Sequence, residues 1–203
     1  MCYLVRGFVR AFDEIVGFLS KVRSLVDLNQ IELMVNILVK ARREGRKVLV
    51  VGAGRSGLVG RAFALRLMHL GFNVYVYGET IVPAIGDGDV VVVISGSGET
   101  ASSVLAAETA KRVGARVIAV TSRINSKLAR LADHVVVVPG RTKLARESDY
   151  FVRQLVGEHE PLSPLGTLFE IAAFVVLDCV VVELMMRLGV SEEEVYSRHA
   201  NIE

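Results

Sequence analysis

Two glycine-rich segments carry the residue types that can hold an anion. The first reads Gly52-Ala53-Gly54-Arg55-Ser56-Gly57 and follows the apolar run Lys47-Val48-Leu49-Val50-Val51. The second reads Ser95-Gly96-Ser97-Gly98-Glu99-Thr100 and follows Asp89-Val90-Val91-Val92-Val93-Ile94. A turn of this kind between a buried strand and a helix leaves backbone N–H groups unpaired and directed outward, where the helix dipole favours negative charge. Gly54 and Gly96 let the chain approach a ligand closely. The hydroxyls of Ser56, Ser95, Ser97 and Thr100 add donors. Two such loops side by side can wrap a single phosphate, which points to a phosphorylated ligand.

Gly52-x-Gly54-x-x-Gly57 also fits the dinucleotide fingerprint. That fingerprint needs an acid at the end of the following strand, and Glu79 comes only after Gly78, in a turn. A dinucleotide fold has no use for a second hydroxyl-rich loop at its third strand. A Lys-Ser/Thr phosphate loop is absent, which argues against nucleoside triphosphates.

Acid–base candidates are few. Glu170 lies three residues after Thr167, in an otherwise apolar helical stretch. That spacing fits a capping box, and it equally fits a carboxylate tuned as a general base by its apolar surroundings. Glu99 is either an acid favoured by a helix N-terminus or a site carboxylate. Arg55 can hold a phosphate or stabilise a developing oxyanion, or simply be a solvated first-turn arginine. His199 stands between Arg198 and Asn201 near the last residue, and a polar tail of this kind is expected to fold over a site, its own or a neighbour's. A frayed tail is the alternative. His69 and Thr167 are further candidates; for His69, packing or an interface competes with a site role. Asp178 is expected to be structural, and His134 and His159 have no evident partner.

These residues need elements to position them. Apolar spacing predicts helices over 8–26 and 31–43, the second capped by Asp27 or Asn29. Whether this arm covers the sheet or packs on another subunit is open. Strands at 47–52, 73–77, 89–94, 116–120 and 134–138 then alternate with helices at 56–70, 100–112 and 126–131. Valine-rich runs alternating with helices mean parallel strands covered on both faces. The expected fold is α/β: a three-layer αβα sandwich on a five-stranded parallel sheet, flavodoxin-like. A polar stretch from 140 to 164 precedes a long C-terminal helix over 167–188, and Ser191 caps a last short one. The chain is expected to be one domain, with a helical arm at 1–45, a sheet core at 46–140, and a loop and C-terminal helices at 141–203.

Bulk properties narrow the function class. The chain has 203 residues, 52% of them hydrophobic, and a formal net charge of +2 with both signs interspersed. That is no footprint for nucleic acid. Trp is absent, which removes the strongest base-stacking residue. Cys2 and Cys179 are too few for a disulfide or metal framework, and Cys179 is expected in the core. The most apolar stretch, 168–186, carries Glu170, Asp178 and Glu183, so no membrane span is expected. The protein is expected to be cytoplasmic.

Gly54-Arg55-Ser56-Gly57 together with Ser95-Gly96-Ser97-Gly98-Glu99-Thr100 resembles the sugar isomerase (SIS) family of phosphosugar-binding domains. Four further segments are similar to its 6-phospho-3-hexuloisomerase group: Phe63 through Gly71, Gly78 through Ile85, Pro164-Leu165-Gly166-Thr167-Leu168-Phe169-Glu170, and Arg198-His199-Ala200-Asn201-Ile202-Glu203. Val156 through Pro161 is more charged than that group's pattern.

The resemblance implies interconversion of D-arabino-3-hexulose 6-phosphate and fructose 6-phosphate through an enediol(ate), with no metal or cofactor. It also implies a place in the ribulose monophosphate route of formaldehyde assimilation, after 3-hexulose-6-phosphate synthase, and a homotetramer built as a dimer of dimers. On that basis Glu170 is the expected base with Glu99 as alternative, and Arg55 and His199 serve the oxygens. Ser56, Ser95, Ser97 and Thr100 then hold the 6-phosphate. Two other readings stand beside it: a non-catalytic phosphosugar sensor, and an isomerase for another sugar such as arabinose 5-phosphate.

Overall fold

Each of the five valine-rich runs forms a strand in a computed structural model of the chain, which describes residues 5–140 and 167–201. β1 (Lys47–Gly52), β2 (Asn73–Val76), β3 (Val90–Ile94), β4 (Arg116–Thr121) and β5 (His134–Val137) make one all-parallel sheet in the order β2-β1-β3-β4-β5. The helices are α1 (Arg6–Leu25), α2 (Leu28–Arg43), α3 (Gly54–His69), α4 (Ala101–Arg112), α5 (Lys127–Leu131), α6 (Thr167–Leu188) and α7 (Glu192–Ser197).

Side chains alternate across a strand, and here both sides are apolar. Val48, Val50, Val90, Val92 and Ile94 pack with α2, α3 and α6; Leu49, Val51, Val91 and Val93 pack with α4 and α5. β3 is buried along its whole length, as expected of the centre of a sheet covered on two faces. Burying one such Val, Leu or Phe side chain contributes roughly 1.5–3 kcal/mol, so the sheet is a rigid base for its loops.

The strand order creates a switch point. From β1 the chain crosses through α3 to β2 on one side; from β3 it crosses through α4 to β4 on the other. The carboxyl ends of β1 and β3 therefore open between helices that diverge to opposite faces, the place where open α/β sheets bind ligands.

The N-terminal arm divides its tasks. α2 starts at Asp27, whose side chain accepts from the Asn29 N–H. It buries Met34, Val35, Leu38 and Val39 against the sheet and α6. Gln30 ties it to β5: its carbonyl meets His134 Nε2 at 2.7 Å, and its side-chain oxygen accepts from Val137 N–H at 2.8 Å. His134 thus has the partner that sequence alone did not provide. α1 buries only Val22, while Phe8, Val9, Phe12 and Val16 stay exposed. Covering the sheet is the work of α2, and α1 keeps an apolar row facing outward. Cys179, expected in the core, is exposed on α6. No helix among the described residues is long and apolar enough to cross a membrane.

Candidate active site

The two loops are neighbours. Gly52 pairs with Ile94 in the β1–β3 register, so Ala53 and Ser95 are the first residues past the ends of adjacent strands. Each loop turns directly into a helix, at Gly54 and at Ala101. The first turn is tight: a Cβ on Gly52 would stand 2.7 Å from the Ser56 carbonyl oxygen, and one on Gly57 would stand 2.9 Å from the Gly52 carbonyl oxygen. Gly54 takes φ +55°, a conformation open to glycine at little cost. The glycines of the apparent dinucleotide fingerprint therefore serve a close strand-to-helix turn.

The hydroxyls of the second loop hold its shape. Ser95 Oγ accepts from the Gly98 N–H at 3.2 Å and donates to Thr100 Oγ1 at 3.3 Å. Ser97 Oγ accepts from the Glu99 N–H at 3.2 Å. Thr100 Oγ1 therefore keeps its own proton for a ligand. Below the loop, the Gly96 carbonyl accepts from Ser122 Oγ at 2.7 Å, from the Ser122 N–H at 3.2 Å and from Thr121 Oγ1 at 3.3 Å. Thr121 and Ser122, which sequence reading left without a role, anchor the second loop to β4.

Glu170 completes the site from α6. Its side chain is 13% exposed, and its Oε2 lies 3.5 Å from Arg55 Nε. Burial raises its carboxyl above the ordinary value, against the opposing pull of the Arg55 charge and the Ser56 hydroxyl. Oε2 accepts no hydrogen bond of normal length among the described residues. The carboxylate is thus desolvated but still adaptable, as a general base needs to be. Arg55 and Glu170 open onto a cleft of about 260 Å³ walled by Leu58, Val59, Ile171, Phe174 and Val175. Leu58, Phe174 and Val175 on that wall are exposed.

Glu99 is engaged elsewhere. Its Oε1 accepts from the Lys127 N–H at 2.9 Å, and its Oε2 pairs with Lys127 Nζ at 3.2 Å. The Lys127 N–H bond and the neighbouring charge hold its carboxyl below the ordinary value. Glu99 thus braces the start of α5, and of the two candidate acids it has the environment less suited to a base.

His69 and His199 meet each other, away from the loops. His69 is buried in the last turn of α3, and its ring lies 3.9 Å, centroid to centroid, from that of His199. Arg198 Nη1 donates to the His69 carbonyl at 3.0 Å. His69 lies fourteen residue steps along α3 from Arg55, about 21 Å at 1.5 Å per residue. Within one chain the structure brings Arg55, Ser56, Glu170 and the second loop together and leaves His199 at the opposite end of α3. Thr167, also buried, begins α6. His159 and the charged segment 156–161 lie outside the described residues. Among those described, no group of three or more His, Cys, Asp or Glu can hold a metal ion.

A domain model described as the SIS domain matches residues 42–144. The 3-hexulose-6-phosphate isomerase of Mycobacterium gastri is 42% identical over 198 residues, covering 94% of this chain and 92% of that protein. This chain belongs to the SIS family. An uncharacterized protein of Aeropyrum pernix is 56% identical over 194 residues, 96% of this chain and 92% of its own. The fold agrees. The crystal structure of a hypothetical protein of Methanococcus jannaschii, described as inferring a 3-hexulose-6-phosphate isomerase function, matches with a TM-score of 0.71. It is 33% identical, over 94% of this chain and 96% of that one. The paired loops are thus those of an SIS domain, on the five-stranded parallel sheet of the phosphosugar isomerases.

Proposed function

We propose that the protein interconverts D-arabino-3-hexulose 6-phosphate and fructose 6-phosphate. The observation that carries this reading is the convergence of a half-buried carboxylate, Glu170, with two adjacent hydroxyl-lined anion loops. Relatives named for this activity support the choice of substrate.

Ser56, Ser97 and Thr100, with the amides of the Gly54 and Gly96 turns, bind the 6-phosphate, and Ser95 orients Thr100 toward it. Anchoring that end presents the sugar carbons to Glu170, and such positioning can supply up to about 7–11 kcal/mol of a barrier. The ionised Glu170 takes the proton from C2 of the hexulose. The C–H electron pair becomes the C2–C3 double bond, and the former carbonyl oxygen on C3 takes the negative charge. Arg55 stabilises this enediolate. Protonated Glu170 then delivers its proton to C3, while the hydroxyl proton of O2 leaves as O3 is protonated, which restores a carbonyl at C2. His199 relays the hydroxyl proton, and because it lies far from Glu170 in its own chain, it is supplied by a second copy. The assembly is a homotetramer in which exposed apolar faces on α1, α3 and α6 are covered. Its substrate is the product of a 3-hexulose-6-phosphate synthase, in the ribulose monophosphate route of formaldehyde assimilation.

The test is a coupled assay for fructose 6-phosphate formed from the hexulose phosphate. Glu170→Gln is expected to lower turnover by about 100-fold or more while phosphate affinity stays near wild type. Near-normal turnover in that variant rejects Glu170 as the base. No turnover by the wild-type protein rejects the reaction and favours a phosphosugar sensor.

A further inference from the structure

Phe169, next to Glu170 in the chain, has a spatial role that its apolar character conceals. It is 2% exposed. Two glycines on different segments give way to it. A Cβ on Gly96 would stand 2.8 Å from Phe169 Cδ1 and 3.0 Å from its Cγ. A Cβ on Gly140, past the end of β5, would overlap Phe169 Cβ and stand 2.6 Å from its Cα. Neither glycine has a positive φ. Both are therefore glycine for the sake of close approach, and the same side chain is what approaches.

The sheet order explains the arrangement. Gly96 follows β3 and Gly140 lies beyond β5, with β4 between them. Phe169 spans the carboxyl edge of β4 and presses on the second loop from the side of α6. From below, Ser122 and Thr121 hold the Gly96 carbonyl with three donors. The loop is clamped between β4 and one aromatic ring, and the next residue along the helix is Glu170.

We infer that Phe169 is a positioning residue that fixes the distance between the phosphate loop and the Glu170 carboxylate. This inference rests on the reading of Glu170 as the base. Each half of the site has its own supports: the loop has its internal hydroxyl bonds, and Glu170 has Arg55. Removing the ring therefore leaves phosphate binding and the carboxylate in place and disturbs their separation. A displacement of about 1 Å between reacting groups costs on the order of 100-fold in rate.

The experiment compares Phe169→Leu, Gly96→Ala, the double variant and Glu170→Gln in the full-length protein. Turnover is measured with the hexulose phosphate, and inorganic phosphate affinity by calorimetry. Phe169→Leu is expected to lower kcat by about 10-fold or more with phosphate Kd within about threefold of wild type, and Gly96→Ala, which pushes the loop against the ring, to lower kcat by at least as much. The smaller leucine makes room for the alanine methyl, so the double variant is expected to recover part of the loss. If Phe169→Leu fails to fold, Phe169→Met, whose unbranched chain adapts to the space left by the ring, carries the same comparison. Phe169 variants with unchanged kcat, losses that simply multiply in the double variant, or kcat that only follows the folded fraction would overturn the inference while Glu170→Gln remains inactive. An active Glu170→Gln enzyme instead removes the reading beneath it, and the inference falls with it.

Discussion

Arg55 Nε stands 3.5 Å from Glu170 Oε2 and joins the first turn of α3 to the first turn of α6. The pair sets two opposing influences on one carboxyl: burial raises it, and the guanidinium lowers it. With the ionised Glu170 as the proposed base, the acidic limb of the kcat–pH profile is expected above the ordinary carboxylate value. Arg55→Gln removes the lowering influence, so the limb is expected to move to higher pH as the rate falls. Profiles of the two proteins decide this, and a limb moving to lower pH contradicts the assignment.

The same shift makes a statement about stability. The folded-state value of Glu170 lies above its unfolded value, so the unfolded chain ionises first as pH rises. Below the unfolded value the group contributes nothing to pH dependence. Between the two values the wild-type protein loses stability, and the loss levels off above the folded value. Glu170→Gln escapes it. Urea midpoints are therefore expected to favour the glutamine variant increasingly from acid pH through this window. A difference that shrinks with rising pH runs against the prediction.

Ser56→Ala and Thr100→Val test the cradle. Each removes a donor to a charged group, an interaction of about 1.5–3 kcal/mol. Phosphate Kd is expected to rise about 10-fold or more in each. Titration calorimetry measures it, and unchanged affinity in both variants places the anion elsewhere.

Glu99→Gln separates the two candidate acids. It removes the charge that pairs with Lys127, and is expected to leave the acidic limb of the kcat–pH profile where it was. A limb that disappears in this variant makes Glu99 the base.

Mixing Glu170→Gln with His199→Ala tests whether two chains share one site. Each variant alone is expected to be nearly inactive. Subunit exchange would produce sites carrying both native residues, and activity is expected to return on mixing. Persistent inactivity in mixed oligomers, confirmed by mass, denies His199 a role across an interface.

The element types were legible because valine-rich runs and helical spacing leave little choice, and the long helix after residue 166 starts and stops where its apolar pattern does. The adjacency of the two glycine-rich loops was legible for the same reason: the fold class puts strand ends on one edge. Glu99 was not. Its partner Lys127 lies 28 residues on, and it meets Glu99 only because β4 sits beside β3 and delivers α5 to the loop. His199 was legible as a polar tail but not as a ring against His69, since the length of α3 and the docking of α7 decide that contact. The pressure of Phe169 on Gly96 and Gly140 depends on three segments meeting, and no local pattern encodes it.

In the proposed complex one phosphate sits in both loops while the sugar carbons face Glu170. A crystal structure with fructose 6-phosphate tests it most directly. The phosphate is expected within hydrogen-bond reach of Ser56, Ser97 and Thr100, with C2 and C3 next to the Glu170 carboxylate. A phosphate bound away from the two loops, or a sugar turned from Glu170, contradicts it.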